Sequence, residues 1–91
     1  VLLEVDMIVG DRPRWCGPAL DVALEGTVQL RAHGEPVDAV VEVVTDDTGT
    51  AQVVAHLRER VRGVAPGQAM VVYDGTRVVG SVTITRSTRA V

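Results

Sequence analysis

The chain has 91 residues, 46% of them hydrophobic, and a formal net charge of −3 at pH 7, with every basic side chain an arginine. That length makes one small domain, and the acidic balance excludes a free-standing nucleic-acid binder that works by basic excess. A single cysteine, Cys16, excludes an internal disulfide and fits a reducing cytoplasm. No signal peptide, transit peptide or long apolar run stands out, so neither export nor a membrane span is expected. The first residue is Val1 rather than Met, which suggests processing or excision from a longer protein.

Phe is absent, Trp15 and Tyr73 are the only aromatics, and valine is the commonest residue. Valine is stiff at its first torsion and favours strands, so composition alone predicts an all-β protein with an aliphatic core. In chain order, Val1 to Val9 reads as a strand with Leu3, Val5 and Met7 on one face and Leu2, Glu4, Asp6 and Ile8 on the other. Pro13 and Pro18 remove ladder donors, which predicts a loop or linker over residues 11–25. Within it, Leu20 to Glu25 is the one stretch with a helical look, and it is too short to stand.

Strands then follow quickly. Thr27 to His33 alternates, with Val28, Leu30 and Ala32 on one face. Val37 to Val44 is the next strand, and Thr45 to Gly49 is a loop of turn formers. Thr50 to Leu57 is a third, its apolar face taking Ala51, Val53, Ala55 and Leu57, with Arg58 to Gly63 as a short edge strand or turn. Ala65-Pro66-Gly67-Gln68 is a tight turn, because Pro presets φ and the following Gly accepts a positive one. Met70 to Tyr73 and Arg77 to Thr85 form a hairpin around Asp74-Gly75, and Arg86 to Val91 reads as a tail. Turn signals at this spacing predict a small antiparallel barrel or sandwich, and closure is the simpler way to remove edges from so small a sheet. Gly80, inside the last strand, marks a bend or a close backbone approach.

Candidate chemistry is sparse. Cys16 has Arg12 and Arg14 nearby but no second cysteine or base, so a packed or incidental thiol is the simpler account. His33 and His56 lack the further ligands that a zinc site needs. Asp46 and Asp47, even with Asp38 or Glu42, do not have calcium-loop spacing and read as hairpin-loop residues. Gly67 and Gly75 are isolated turn glycines and make no phosphate-cradling loop. Arg31 on a polar strand face has a planar fork suited to phosphate, or is a solvated surface residue. Gln68 can donate to phosphate or ribose, or simply satisfy the turn backbone. No catalytic, cofactor or metal residue is expected in this chain.

Three segments carry a family resemblance: Val28 to Pro36, Val61 to Ala69, and Tyr73-Asp74-Gly75 through Gly80 to Ile84; Asp11 to Trp15 adds a weaker one. Together the chain resembles the closing part of bacterial tRNA-specific 2-thiouridylases, which replace oxygen by sulfur on carbon 2 of a wobble uridine. The resemblance implies a six-stranded antiparallel β-barrel similar to the second domain of elongation factors. It implies tRNA contacts at Arg31, Ala32 and Gln68. It also implies ATP used by an N-terminal catalytic domain, a sulfur-donor protein as partner, and a cytoplasmic enzyme. Where the family often has an aromatic after the arginine, this chain has Ala32, so stacking is lost there. The family's pyrophosphate loop and cysteine pair are absent, and Cys16 matches neither cysteine's motif.

The expected organisation is therefore a strand and linker from a preceding central domain over 1–25, the C-terminal barrel over 26–86, and a frayed tail over 87–91. The expected function is tRNA binding within a 2-thiouridylase, with this chain inactive alone. Its rivals are a protein-interaction or domain-packing barrel, favoured by the negative charge, and a small-molecule-binding barrel.

Overall fold

The computed structural model describes residues 4–30, 35–62 and 64–89. They form six strands, β1 (Val5–Trp15), β2 (Leu24–Leu30), β3 (Val37–Thr45), β4 (Ala51–Val61), β5 (Ala69–Asp74) and β6 (Arg77–Thr88). No helix occurs among the described residues, so none is long and apolar enough to cross a membrane. The strands close into an antiparallel barrel in the order β1-β4-β3-β2-β5-β6, which leaves the sheet without an edge. The expected all-β six-stranded barrel is thus the observed one.

Alternation fills the interior. Ile8, Val28, Leu30, Val41, Val53 and Met70 are fully excluded from solvent, and among the described residues no polar or charged one is buried with them. Each such aliphatic side chain contributes about 1.5–3 kcal/mol of transfer free energy. Trp15, Leu20 and Leu24 pack against this core from one end, and Val37 and Val64 from the other.

Several boundaries differ from those expected, each for a physical reason. The loop predicted from residue 11 is strand as far as Trp15. The β1–β6 register shifts between Asp11 and Arg14, so Pro13 falls in a bulge where its missing N–H costs no ladder bond. β1 pairs with both β4 and β6 and so closes the barrel, and β2 starts at Leu24.

A second bulge between Val5 and Met7 turns both Val5 and Ile8 inward, against the simple alternation. β4 continues past Leu57 because Arg58 and Arg60 face solvent while Val61 turns in opposite Val5. At its other end Ala51 is exposed, so the buried face of β4 begins at Val53. The tail expected from residue 87 is also strand at first: Ser87 pairs with Ile8 and Thr88 with Met7. The predicted end of β2, from Arg31 to His33, lies outside the described residues.

Both turns follow their residue chemistry. Gly67 has φ 91° and Gln68 N donates to Ala65 O at 3.4 Å, a type II turn with Pro66 and Gly67 at its centre. The hairpin loop is Gly75-Thr76, closed by the Asp74–Arg77 pair, with Gly75 supplying φ 62° at the first central position as a primed turn requires. Gly80 lies opposite Trp15, and a Cβ there would sit 2.6 Å from the Arg14 carbonyl oxygen. Close approach, rather than backbone freedom, is the reason for that glycine.

Candidate nucleic-acid interface

Antiparallel alternation gathers Leu30, Val37, Val61 and Ala69 at one end of the barrel, and Trp15, Leu24, Thr45 and Asp74 at the other. Gln68 stands at the first of these rims. Its backbone is clamped to β6: Gly67 N donates to Ile84 O and Ile84 N donates to Gln68 O, both at 2.8 Å. Its side-chain Oε1 accepts from Ala65 N at 3.4 Å. The Nε2 group has no partner among the described residues and remains available as a donor. Gln68 therefore satisfies the turn through its side-chain oxygen and leaves its amide nitrogen unengaged by the described residues.

Arg31, Ala32 and His33 lie outside the described residues. The chain that leads to them does not. Leu30 pairs with Met70, two residues beyond Gln68, so β2 reaches this rim beside the strand that Gln68 opens.

Sequence reasoning missed a stripe of basic side chains on the outer face of β4, where His56, Arg58 and Arg60 alternate, followed by Arg62. The signal was available as a period of two, but this stretch reads equally well as a charged turn. Every member faces a carboxylate: His56–Glu42 at 3.4 Å, Arg58–Glu25 at 3.3 Å, Arg60–Asp6 at 3.9 Å and Arg62–Glu4 at 3.9 Å. Such exposed pairs add little stability, but they neutralise the stripe locally. Beside it an open cleft of about 540 Å³ is lined by Pro36, Val37 and Val61 with Glu4, Glu35, Glu59, Arg60 and Arg62. Its mixture of signs suits no single charged ligand.

The remaining candidates resolve individually. Cys16 is exposed, and its backbone N donates to Val79 O at 3.0 Å. Asp46 organises its own loop: Oδ1 accepts from Thr48 Oγ1 at 2.6 Å and from the N–H groups of Thr48 and Thr50 at 2.9 Å. The Thr48 hydroxyl, then the Thr50 amide, holds its pKa below the ordinary 3.8. Among the described residues, no three His, Cys, Asp or Glu side chains are grouped to hold a metal ion.

Comparison with known proteins now bears on this geometry. Residues 5–84, nearly the whole set of strands, match the aminomethyltransferase beta-barrel domain. The chain belongs to that family. It is 53% identical over 88 residues to the tRNA-specific 2-thiouridylase MnmA of Acidothermus cellulolyticus, covering 97% of this chain and 23% of that relative. To the tRNA-specific 2-thiouridylase MnmA of Streptomyces coelicolor it is 52% identical over 88 residues, covering 97% and 22%. The relative of the same name from Beutenbergia cavernae is 43% identical over 88 residues, covering 97% and 23%. This barrel thus spans under a quarter of the length of the curated relatives that it matches.

Proposed function

We propose that this barrel is the C-terminal tRNA-binding domain of a tRNA 2-thiouridylase and contributes no catalytic residue itself. The observation that carries the reading is the similarity of 97% of the chain, at 53% and 52% identity, to proteins of that name. In the parent enzyme, ATP is used by the N-terminal domain, a sulfur-donor protein supplies sulfur, and the reaction takes place in the cytoplasm. Here Arg31 grips a phosphate, Gln68 donates through Nε2, and Ala32 is the third contact position, without stacking. The free donor at Gln68 and the pairing of Leu30 with Met70 support that assignment.

The test is tRNA affinity of the full-length protein carrying Arg31→Ala or Gln68→Glu. Each variant is expected to weaken binding about tenfold, the equivalent of one charge-assisted hydrogen bond. Unchanged affinity in both would sink the contact assignment.

A further inference from the structure

The outer surface of this barrel is divided in two. Around β4, His56, Arg58, Arg60 and Arg62 each lie against a carboxylate of β1, β2 or β3 or the residue preceding β1. Across β2, β5 and β6 the outward positions between Glu25, which is paired with Arg58, and the Gln68 rim include Thr27, Gln29, Val71, Tyr73, Ser81 and Thr83, none of them charged, and Asp11 of β1, opposite Thr83, is the carboxylate at the margin. Register sets these residues in rows that end on β1. Gln29 pairs with Val71, Val71 with Ser81 and Ser81 with Arg14, while Ala69 pairs with Thr83 and Thr83 with Asp11. Tyr73 and Gln29 are joined by a hydrogen bond of 3.3 Å. Gln68 lies at the rim end of this neutral face, about 10 Å in strand spacing from β1.

Arg12 and Arg14 bound the face on its β1 side. Both are exposed, and neither has an ion-pair partner among the described residues. Arg12 is also the one described non-glycine residue with positive φ, at 52°, directly before Pro13. A side chain other than glycine held there is strained, and such strain accumulates where a residue is kept for what it contacts.

We infer that the β2–β5–β6 face, bounded by Arg12 and Arg14, is the surface that lies against the RNA backbone, and that the arginine stripe of β4 does not engage it. This rests on the tRNA reading above and chooses between the two faces. An unpaired guanidinium gives its full fork to a phosphate. A paired one must first leave its carboxylate, which then stands beside the phosphate and repels it. The hydroxyl and amide groups of the neutral face can meet ribose and phosphate oxygens without bringing a negative charge.

The test measures the affinity of the full-length protein for an unmodified tRNA transcript across a salt series, with thermal melting as the folding control. Arg12→Ala and Arg14→Ala are each expected to weaken binding about tenfold and to reduce the log–log salt slope by about 1. The Arg58→Ala, Arg60→Ala double variant should keep wild-type affinity and slope. Unchanged affinity in both single variants, or a larger loss in the β4 double variant, overturns the inference. If the wild type binds and Gln68→Glu weakens it while Arg12→Ala and Arg14→Ala do nothing, only the choice of face fails. If the wild type does not bind tRNA, the tRNA reading and this inference fail together.

Discussion

Ala65 and Gln68 are bound to each other twice across the Pro66-Gly67 turn, Ala65 N donating to Gln68 Oε1 and Gln68 N donating to Ala65 O, each at 3.4 Å. The side chain thus repeats what the backbone does, and its amide nitrogen is left over. Structure and recognition at this residue can be separated by changing one atom type. Gln68→Glu retains an oxygen acceptor for Ala65 N but removes the donor, whereas Gln68→Ala removes both. Thermal unfolding should find Gln68→Glu close to wild type and Gln68→Ala lower by about 0.5 kcal/mol, a long and partly exposed neutral hydrogen bond. tRNA binding should suffer in both. If Gln68→Glu binds as wild type, the Nε2 group is not a contact.

Gly80 has no room for a side chain. An added Cβ would lie 2.6 Å from the Arg14 carbonyl and 3.1 Å from the Trp15 ring. The first of these is backbone in the β1–β6 ladder and cannot swing aside. Gly80→Ala should destabilise the barrel by about 1–3 kcal/mol, in the range of overpacked sites. Chemical denaturation measures it. A loss below about 0.5 kcal/mol would mean that β1 shifts freely at its bulge.

The bulge itself offers a test of strain. Arg12 holds φ 52°, where glycine is at ease, arginine strained and a β-branched residue worse. Arg12→Gly should match or exceed wild-type stability, by up to about 1 kcal/mol, since relief of strain is partly offset by backbone entropy. Arg12→Val should fall below wild type by more than about 1 kcal/mol. Melting curves of the three proteins would be ordered Gly, Arg, Val. A reversed order of Gly and Val would show that the bulge refolds around its occupant.

Acid should loosen the β3–β4 loop through Asp46. Its pKa is lowered in the folded protein, by the Thr48 hydroxyl first and the Thr50 amide next, relative to the ordinary 3.8. A carboxylate with a depressed folded pKa contributes stability that is fully present above its unfolded value. That contribution is lost as pH falls through the lower folded value. Asp46→Asn should therefore lower stability at neutral pH and flatten the acid limb of the stability profile. Hydrogen exchange at the amides of Thr48 and Thr50 reads the same event locally, and an acid limb identical to wild type would remove Asp46 from it.

What the sequence determined by itself was everything that neighbours along the chain decide. Alternating valines specified strands, Pro66-Gly67 specified a type II turn, and Gly75 specified a primed hairpin, because φ preferences and side-chain alternation act within a few residues. The resemblance in the Val61–Ile84 region led to the family as well. What only the tertiary structure decided was pairing. Pro13 read as loop until β6 supplied a bulge to hold it, between the Asp11–Thr83 and Arg14–Ser81 pairs. The arginines of β4 read as a charged turn until Glu4, Asp6 and Glu25 came from distant segments to neutralise them. Register and charge partnership join residues tens of positions apart, so no local pattern encodes them. For that reason the neutral face running from Gln68 to Arg14 is visible only once the barrel has closed.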